Sequence, residues 1–159
     1  MAYLIDGNNL IGHSSPAELR DPQSKHRLVS KLQRFQRQKR TRVLVVFDGN
    51  PDPDFIDKRF RRKFFSVIFP SFDQNADEVI KEIISKETDL RRFFVVSSDR
   101  EIKNFAKAKG AKPLSCEEFE RELKLALKEH RESQAEEKKV APPSSLEINQ
   151  WLKIFKKKK

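Results

Sequence analysis

At 159 residues, 36% of them apolar and 36% charged, the chain is sized for one domain with a real core. Its single cysteine, Cys116, excludes an internal disulfide and a cysteine-built zinc site. No apolar run approaches the ~20 residues that span a bilayer, and the opening residues lack the basic flank and long apolar stretch of a secretory signal, so a soluble cytoplasmic protein without membrane contact is expected. The net charge of +10 is concentrated. Nine Lys/Arg fall between Arg20 and Arg42, five between Asp57 and Lys63, and the chain ends on Lys156 to Lys159. Such patches point to nucleic acid or another anionic surface; a solvated surface that only confers solubility is the competing explanation.

In chain order, residues 2–5 read as a short buried strand that ends on Asp6 and a tight turn. His13 to Asp21 is a polar connection. Pro22 opens a helix to about Arg40, with Leu28, Leu32 and Phe35 on its apolar face and Arg27, Lys31 and Arg34 in a neighbouring basic stripe at i, i+4, i+7. Residues 42–47 and 64–69 are the second and third strands, joined by a turn-rich loop and a basic-aromatic stretch holding Arg59, Arg61, Arg62 and Lys63. A helix follows over about 76–86, with Asn75 as its N-cap. The fourth strand is 93–97, and Ser98 and Glu101 have capping-box spacing for a helix that stops at Gly110. Residues 112–114 are a fifth strand, and Ser115 and Glu118 repeat the capping box before a long helix with Phe119, Leu123 and Leu127 inward. Strands alternating with helices predict a parallel α/β sheet.

Aspartates recur at the strand ends: Asp6 and Asp48 after the first two, Asp73 and Asp77 after the third, and Asp99 after the fourth. In a parallel sheet these ends lie side by side, where ligands bind. Singly, each acid has a structural explanation. Asp6 and Asp48 precede glycine, a common turn pair, and Asp99 in a first turn favours the helix dipole. Asp77 is harder to account for that way, because it shares a helix face with Ile80 and Ile84, which must pack on the sheet, whereas Glu78 points outward. An unpaired buried carboxylate is expensive, and packed acids repel unless a cation neutralises them. All-oxygen donors suit Mg2+ or Mn2+ better than zinc. Asn8, two residues past Asp6, could hold a metal-bound water or a phosphate oxygen, and Asp73 could be an outer metal ligand. No phosphate-cradling glycine loop is present. The three histidines are scattered and Cys116 has no evident base, so nucleophilic triads fit poorly.

Four segments carry a resemblance: Ile5-Asp6-Gly7-Asn8-Asn9-Leu10-Ile11, Val46-Phe47-Asp48-Gly49, Asn75-Ala76-Asp77-Glu78-Val79-Ile80 and Val96-Ser97-Ser98-Asp99-Arg100-Glu101-Ile102. In this order and strand context, over roughly residues 2–130, they resemble the motifs of NYN-domain proteins of the YacP type, among the PIN-like metal-dependent nucleases. The resemblance implies a PIN-like, three-layer α/β fold around a central, mostly parallel five-stranded sheet. It implies a metal-dependent ribonuclease, and some family members cut messenger RNA on the ribosome. It also implies that Asp6, Asp77 and Asp99 bind metal with Asn8 beside them, and leaves Asp48 with a less defined role.

The resulting expectation is a nuclease domain over residues 1–133, a linker over 134–145, and a C-terminal amphipathic helix with a lysine tail over 146–159. In the last segment Ile148, Trp151, Leu152 and Phe155 form an apolar face expected to dock on its own domain or on a second copy, giving a homodimer. The expected activity is endoribonucleolytic hydrolysis of RNA with Mg2+ or Mn2+, and Arg27, Lys31, Arg34, Arg59, Arg61, Arg62 and Lys63 are the candidate RNA-binding residues. The alternative is a non-catalytic RNA- or ribosome-binding module. A small-molecule phosphatase is disfavoured by the basic patches.

Overall fold

The computed structural model of the chain describes residues 1–55 and 60–140. The expectations for Arg59, for linker residues 141–145 and for the terminal helix 146–159 lie outside the described residues. Residues 134–140, expected to begin the linker, belong instead to the last helix, which runs Cys116–Val140. Glu136, Glu137, Lys138 and Lys139 are good helix formers, so a charged run continues the helix rather than ending it.

The sheet has six strands rather than five: β1 (Ala2–Asp6), β2 (Arg42–Val46), β3 (Arg61–Arg62), β4 (Phe65–Ile68), β5 (Phe93–Val96) and β6 (Lys112–Leu114), in the order β3-β4-β2-β1-β5-β6. All neighbouring pairs are parallel except β3–β4. The additional strand is the two-residue β3, whose arginines are both exposed; a short basic edge strand discourages pairing with another chain. From β1 the chain proceeds outward to β2 and β4, then returns across β1 to β5. The order reverses beside β1, which is where an open parallel sheet offers a crevice at its strand C-termini.

Side chains alternate across the sheet. Tyr3, Ile5, Val43, Val45 and Val67 enter one core layer, covered by α1 (Gly7–Ser14), α2 (Ser24–Lys39) and α5 (Cys116–Val140). Phenylalanine carries much of that layer, and the Tyr3, Phe35 and Phe119 rings meet with centroids 5.2–5.6 Å apart. Ala2, Leu4, Leu44, Val46, Phe93 and Val95 enter the opposite layer, under α3 (Ala76–Lys86) and α4 (Arg100–Lys109). The result is a three-layer α/β/α arrangement.

Three expectations about helices need correction. The segment read as a turn and polar connection holds α1 and a 3-10 turn at Pro16–Arg20. Leu10 and Ile11 bury themselves against the sheet, and this packing outweighs the poor helix propensity of Gly7, Asn8 and Asn9. Pro22 does not open α2, which starts at Ser24. The cap of α4 is Asp99, not Ser98, because the Asp99 carboxylate accepts from the Glu101 and Ile102 amides at 2.8 and 3.3 Å. The expected Ser115–Glu118 box is present, with reciprocal bonds of 3.1 Å, and Gly110 closes α4 at φ +97.

Candidate active site

The same alternation places the acids. Asp6 follows Ala2 and Leu4 on the α3/α4 side of β1. Asp48 and Ser97 continue the corresponding parity of β2 and β5, whose ladders extend through Phe47 N–H to Ile68 C=O (3.0 Å) and Ser97 N–H to Leu114 C=O (3.1 Å). On that side α3 begins, with Asp77 in its first turn, and α4 begins at Asp99.

Asp6 lies deepest, at 6% exposure. Its Oδ2 accepts from the Ser97 hydroxyl at 3.1 Å. Burial pushes its pKa up to about 6; bonds from Ser97 and the Asn9 backbone pull the other way, and the nearby Asp77 and Asp48 carboxylates raise it further. Asp77 is half-buried and its pKa is also raised, first by burial and then by Asp99 and Asp48. Asp6, Asp48, Asp77 and Asp99 therefore form one electrostatically coupled group drawn from four elements. Asp48 is exposed, but its Oδ1 accepts the Ala76 amide at 3.0 Å, pinning the start of α3 to the end of β2. Its other oxygen has no hydrogen bond among the described residues.

The remaining expected residues divide. The Oδ1 of Asn8 accepts the Asp48 amide at 2.7 Å and ties α1 to β2. Asn9 performs the matching task toward β5 and α5, accepting from the Ser98 amide (2.8 Å) and the Cys116 thiol (3.0 Å). Asp73 is exposed. Glu78 is exposed, as expected, and its amide is capped by Asn75 at 2.9 Å.

Two cations beside the acids went unnoticed in the sequence. Lys81, one turn beyond Asp77, pairs with Glu101 and is drawn further toward its charged form by Asp77 and Asp99. Lys25 lies 3.4 Å from the Asp48 carbonyl and over the Phe47 and Phe69 rings. The i+4 spacing of Asp77 and Lys81 was a readable signal for the first; nothing local signals the second. His26, though far in sequence from the other histidines, makes with Asp52 and Asp54 the one set of three potential ligand atoms within 4.8 Å of one another among the described residues. Its Nε2 is 3.1 Å from Asp54 Oδ2, which joins half-buried His26 on α2 to exposed Asp54 after β2.

The basic residues fall on two surfaces. Arg27 and Lys31 line a groove against α5, while Arg61, Arg62 and Lys63 sit exposed at the β3 edge. Arg34, expected in the same stripe, is half-buried with its Nε unpartnered. No described helix is long and apolar enough to cross a membrane.

Among curated protein sequences none matches this chain. Solved structures do, and two of them are as follows. The crystal structure of Rae1 (YacP) from Bacillus subtilis has a TM-score of 0.73 and 23% identity, covering 99% of this chain and 93% of that one. Its W164L mutant has a TM-score of 0.69 and 23% identity, over 94% and 89%. At that identity the likeness speaks for the fold. The model of the YacP-like NYN domain matches residues 3–156, well past the residue-130 limit of the motif resemblance. With nearly its whole length matched, the chain belongs to the YacP-like NYN domain family, within the PIN-like nucleases, and its role is nuclease- or RNA-related.

Proposed function

We propose that this chain is a metal-dependent endoribonuclease that hydrolyses RNA phosphodiester bonds, with messenger RNA on the ribosome as a candidate substrate. The observation that carries the proposal is Asp6: a carboxylate 6% exposed, coupled to Asp77 and Asp48 at the crevice where strand order reverses. Burying like charges together is costly without a counter-ion. The donor set is carboxylate oxygen throughout, which fits Mg2+ or Mn2+. The acids stand too far apart for any three to offer ligand atoms within 4.8 Å, a spread that suits Mg2+, which keeps several of its waters.

Asp6, Asp77 and Asp99 would hold one or two such ions, with Asp48 contributing its unbonded oxygen. When bound, the metal supplies an activated water and offsets charge on the phosphate. The protein's own groups set the geometry. Ser97 fixes the Asp6 carboxylate, the Ala76 amide fixes Asp48, and the start of α4 fixes Asp99. Lys25 and Lys81 present cations beside the acids for a polyanionic substrate. A protein nucleophile is not needed: Cys116 is buried, its thiol held protonated chiefly by burial and occupied by Asn9.

The experiment is incubation with defined RNAs in Mg2+ or Mn2+, with an EDTA control, for the wild type and Asp77→Asn. Losing a ligand should cost more than the 10–100-fold of an outer-sphere change. Cleavage by purified Asp77→Asn at the wild-type rate would sink the assignment. A folded protein that binds RNA but cuts none in either metal would favour the second reading, a non-catalytic RNA-binding module, for which the open spacing of the acids is the supporting observation.

A further inference from the structure

A groove of about 600 Å3 runs between α2 and α5, with α1 at one wall. Its floor is apolar, formed by Leu10, Leu28, Leu123 and Leu127. Its rims are basic: Arg27 and Lys31 come from α2, and Lys124, Lys128 and Arg131 from α5. Positions 124, 128 and 131 have i, i+4, i+7 spacing, so α5 carries a cationic comb of the kind already noted on α2, and the two face each other across the groove. The helices are tied by the Phe35–Phe119 ring contact at 5.2 Å and by Lys39–Glu129 at 3.9 Å.

The charge is unbalanced. Arg27 is paired with Asp21 at 2.7 Å. Lys31, Lys124, Lys128 and Arg131 are exposed and have no ion-pair partner among the described residues. The groove's two acids are Glu18 and Glu120, and Glu120 is engaged by the Ser14 hydroxyl. Elsewhere on the surface Arg42, Lys81, Lys86 and Arg91 each have a carboxylate, while Lys103, Lys107 and Lys109 of α4 have no ion pair among the described residues. Four cations with no ion pair among the described residues line one groove, repel one another and suit an extended anion.

Although the acids stand on the other face of the sheet, α1 links the groove to them along the chain. The first residue of α1 is Gly7, directly after Asp6, and Leu10 and Ser14 of the same helix line the groove. Eight helical residues span about 12 Å, a distance of a few phosphates along a nucleic-acid strand at ~3.4 Å rise each.

We propose that this groove is an exosite for single-stranded RNA, holding the phosphate backbone that flanks the bond at the acidic site, with phosphates on the two rims and the riboses and bases over the leucine floor. The choice of RNA rests on the proposed function; the groove's need for a polyanion does not.

The test measures binding of a labelled single-stranded RNA to the full chain in EDTA, so that binding is read without cleavage. Wild type is compared with Lys124→Gln/Lys128→Gln/Arg131→Gln across about 50 to 200 mM salt. Surface Lys/Arg→Gln changes leave the fold intact. At about 0.7 per phosphate contact for single strands, three lost contacts lower the salt slope by roughly 2, so the wild-type advantage should shrink about twentyfold over that range. The loss should be larger for an RNA long enough to enter the groove than for a tetranucleotide.

An unchanged slope overturns the proposal. So does an equal effect from Lys103→Gln/Lys107→Gln/Lys109→Gln on α4, which would mean that only overall charge matters. A third overturning result is unchanged RNA affinity together with a shifted emission of Trp151, the single tryptophan; that would assign the groove to the chain's own C-terminal residues. Because the assay contains no metal, absence of nuclease activity would refute the catalytic reading while leaving this result standing.

Discussion

Replacing Asp6 by Asn should stabilise the metal-free protein at neutral pH and destabilise it in acid. Asp6 is buried, and its pKa rises from 3.8 to about 6 on folding. The sign follows from linkage. Between those values the native state binds more protons than the unfolded one, so stability falls as pH rises through the folded pKa. Each unit is worth 1.36 kcal/mol, so the ionised carboxylate costs about 3 kcal/mol once pH exceeds 6. Asn removes that charge and still accepts from Ser97, but its amide N–H groups need partners in the same buried space, at about 1–2 kcal/mol. The variant should therefore gain about 1–2 kcal/mol at pH 8 and lose about 1 kcal/mol near pH 4, with a crossing between. Urea melts in EDTA at stepped pH, reading midpoint and slope, measure this directly. Mg2+ should narrow or reverse the difference at pH 8, since a site filled at ten times its Kd adds about 1.4 kcal/mol to the wild type alone. A stability difference that does not change with pH, or an Asp6→Asn protein weaker than wild type at pH 8 in EDTA, would refute both the burial argument and the neutralisation it implies.

Other perturbations separate structural from chemical duty. Gly7→Ala should cost about 1–3 kcal/mol in a urea melt, because a Cβ there would stand 2.5 Å from Phe47 Cε1 and 3.1 Å from Val45 Cγ2, in the core beneath α1. Asp99→Asn keeps an acceptor for the Glu101 and Ile102 amides and should match wild-type stability, whereas Asp99→Ala should lose about 1 kcal/mol as an uncapped helix does; both should lose cleavage if the charge is what matters. Asp48→Asn should likewise retain the Ala76 bond and the melting midpoint, with cleavage as the readout that moves.

Much of this arrangement was legible because two periodicities carry it. Apolar runs ending in aspartate marked the parallel strands, and the i+3, i+7 spacing of Asp77 with Ile80 and Ile84 turned it inward; both isoleucines are fully buried. What escaped depended on distant partners. Helix α1 reads locally as Asp-Gly turn chemistry and forms because Leu10 and Ile11 find the sheet. Asn8 seemed free for a ligand, and only the fold brings the Asp48 amide, forty residues on, to its side chain. The double duty of Asp99 was half visible: the helix start could be read, but Ser98 had the better-known spacing and its hydroxyl is used elsewhere, accepting the Cys116 amide at 3.3 Å. The α5 comb stood in the sequence at helical spacing, and only its packing against α2 makes it half of a groove.

Three helices start at the acidic crevice, α1 after Asp6, α3 after Asn75 and α4 after Asp99. A helix start carries about half a positive charge, so together they set roughly +1.5 against the −4 of four ionised carboxylates. The remainder, about −2.5, is close to what one divalent ion cancels and well short of what two would bring. The fold thus supplies part of the counter-charge from its own backbone, permanently and without occupying any ligand position. A crevice already partly compensated should bind its first ion with moderate strength and exchange it readily, and should hold a second one well only when the phosphate of a substrate adds negative charge of its own.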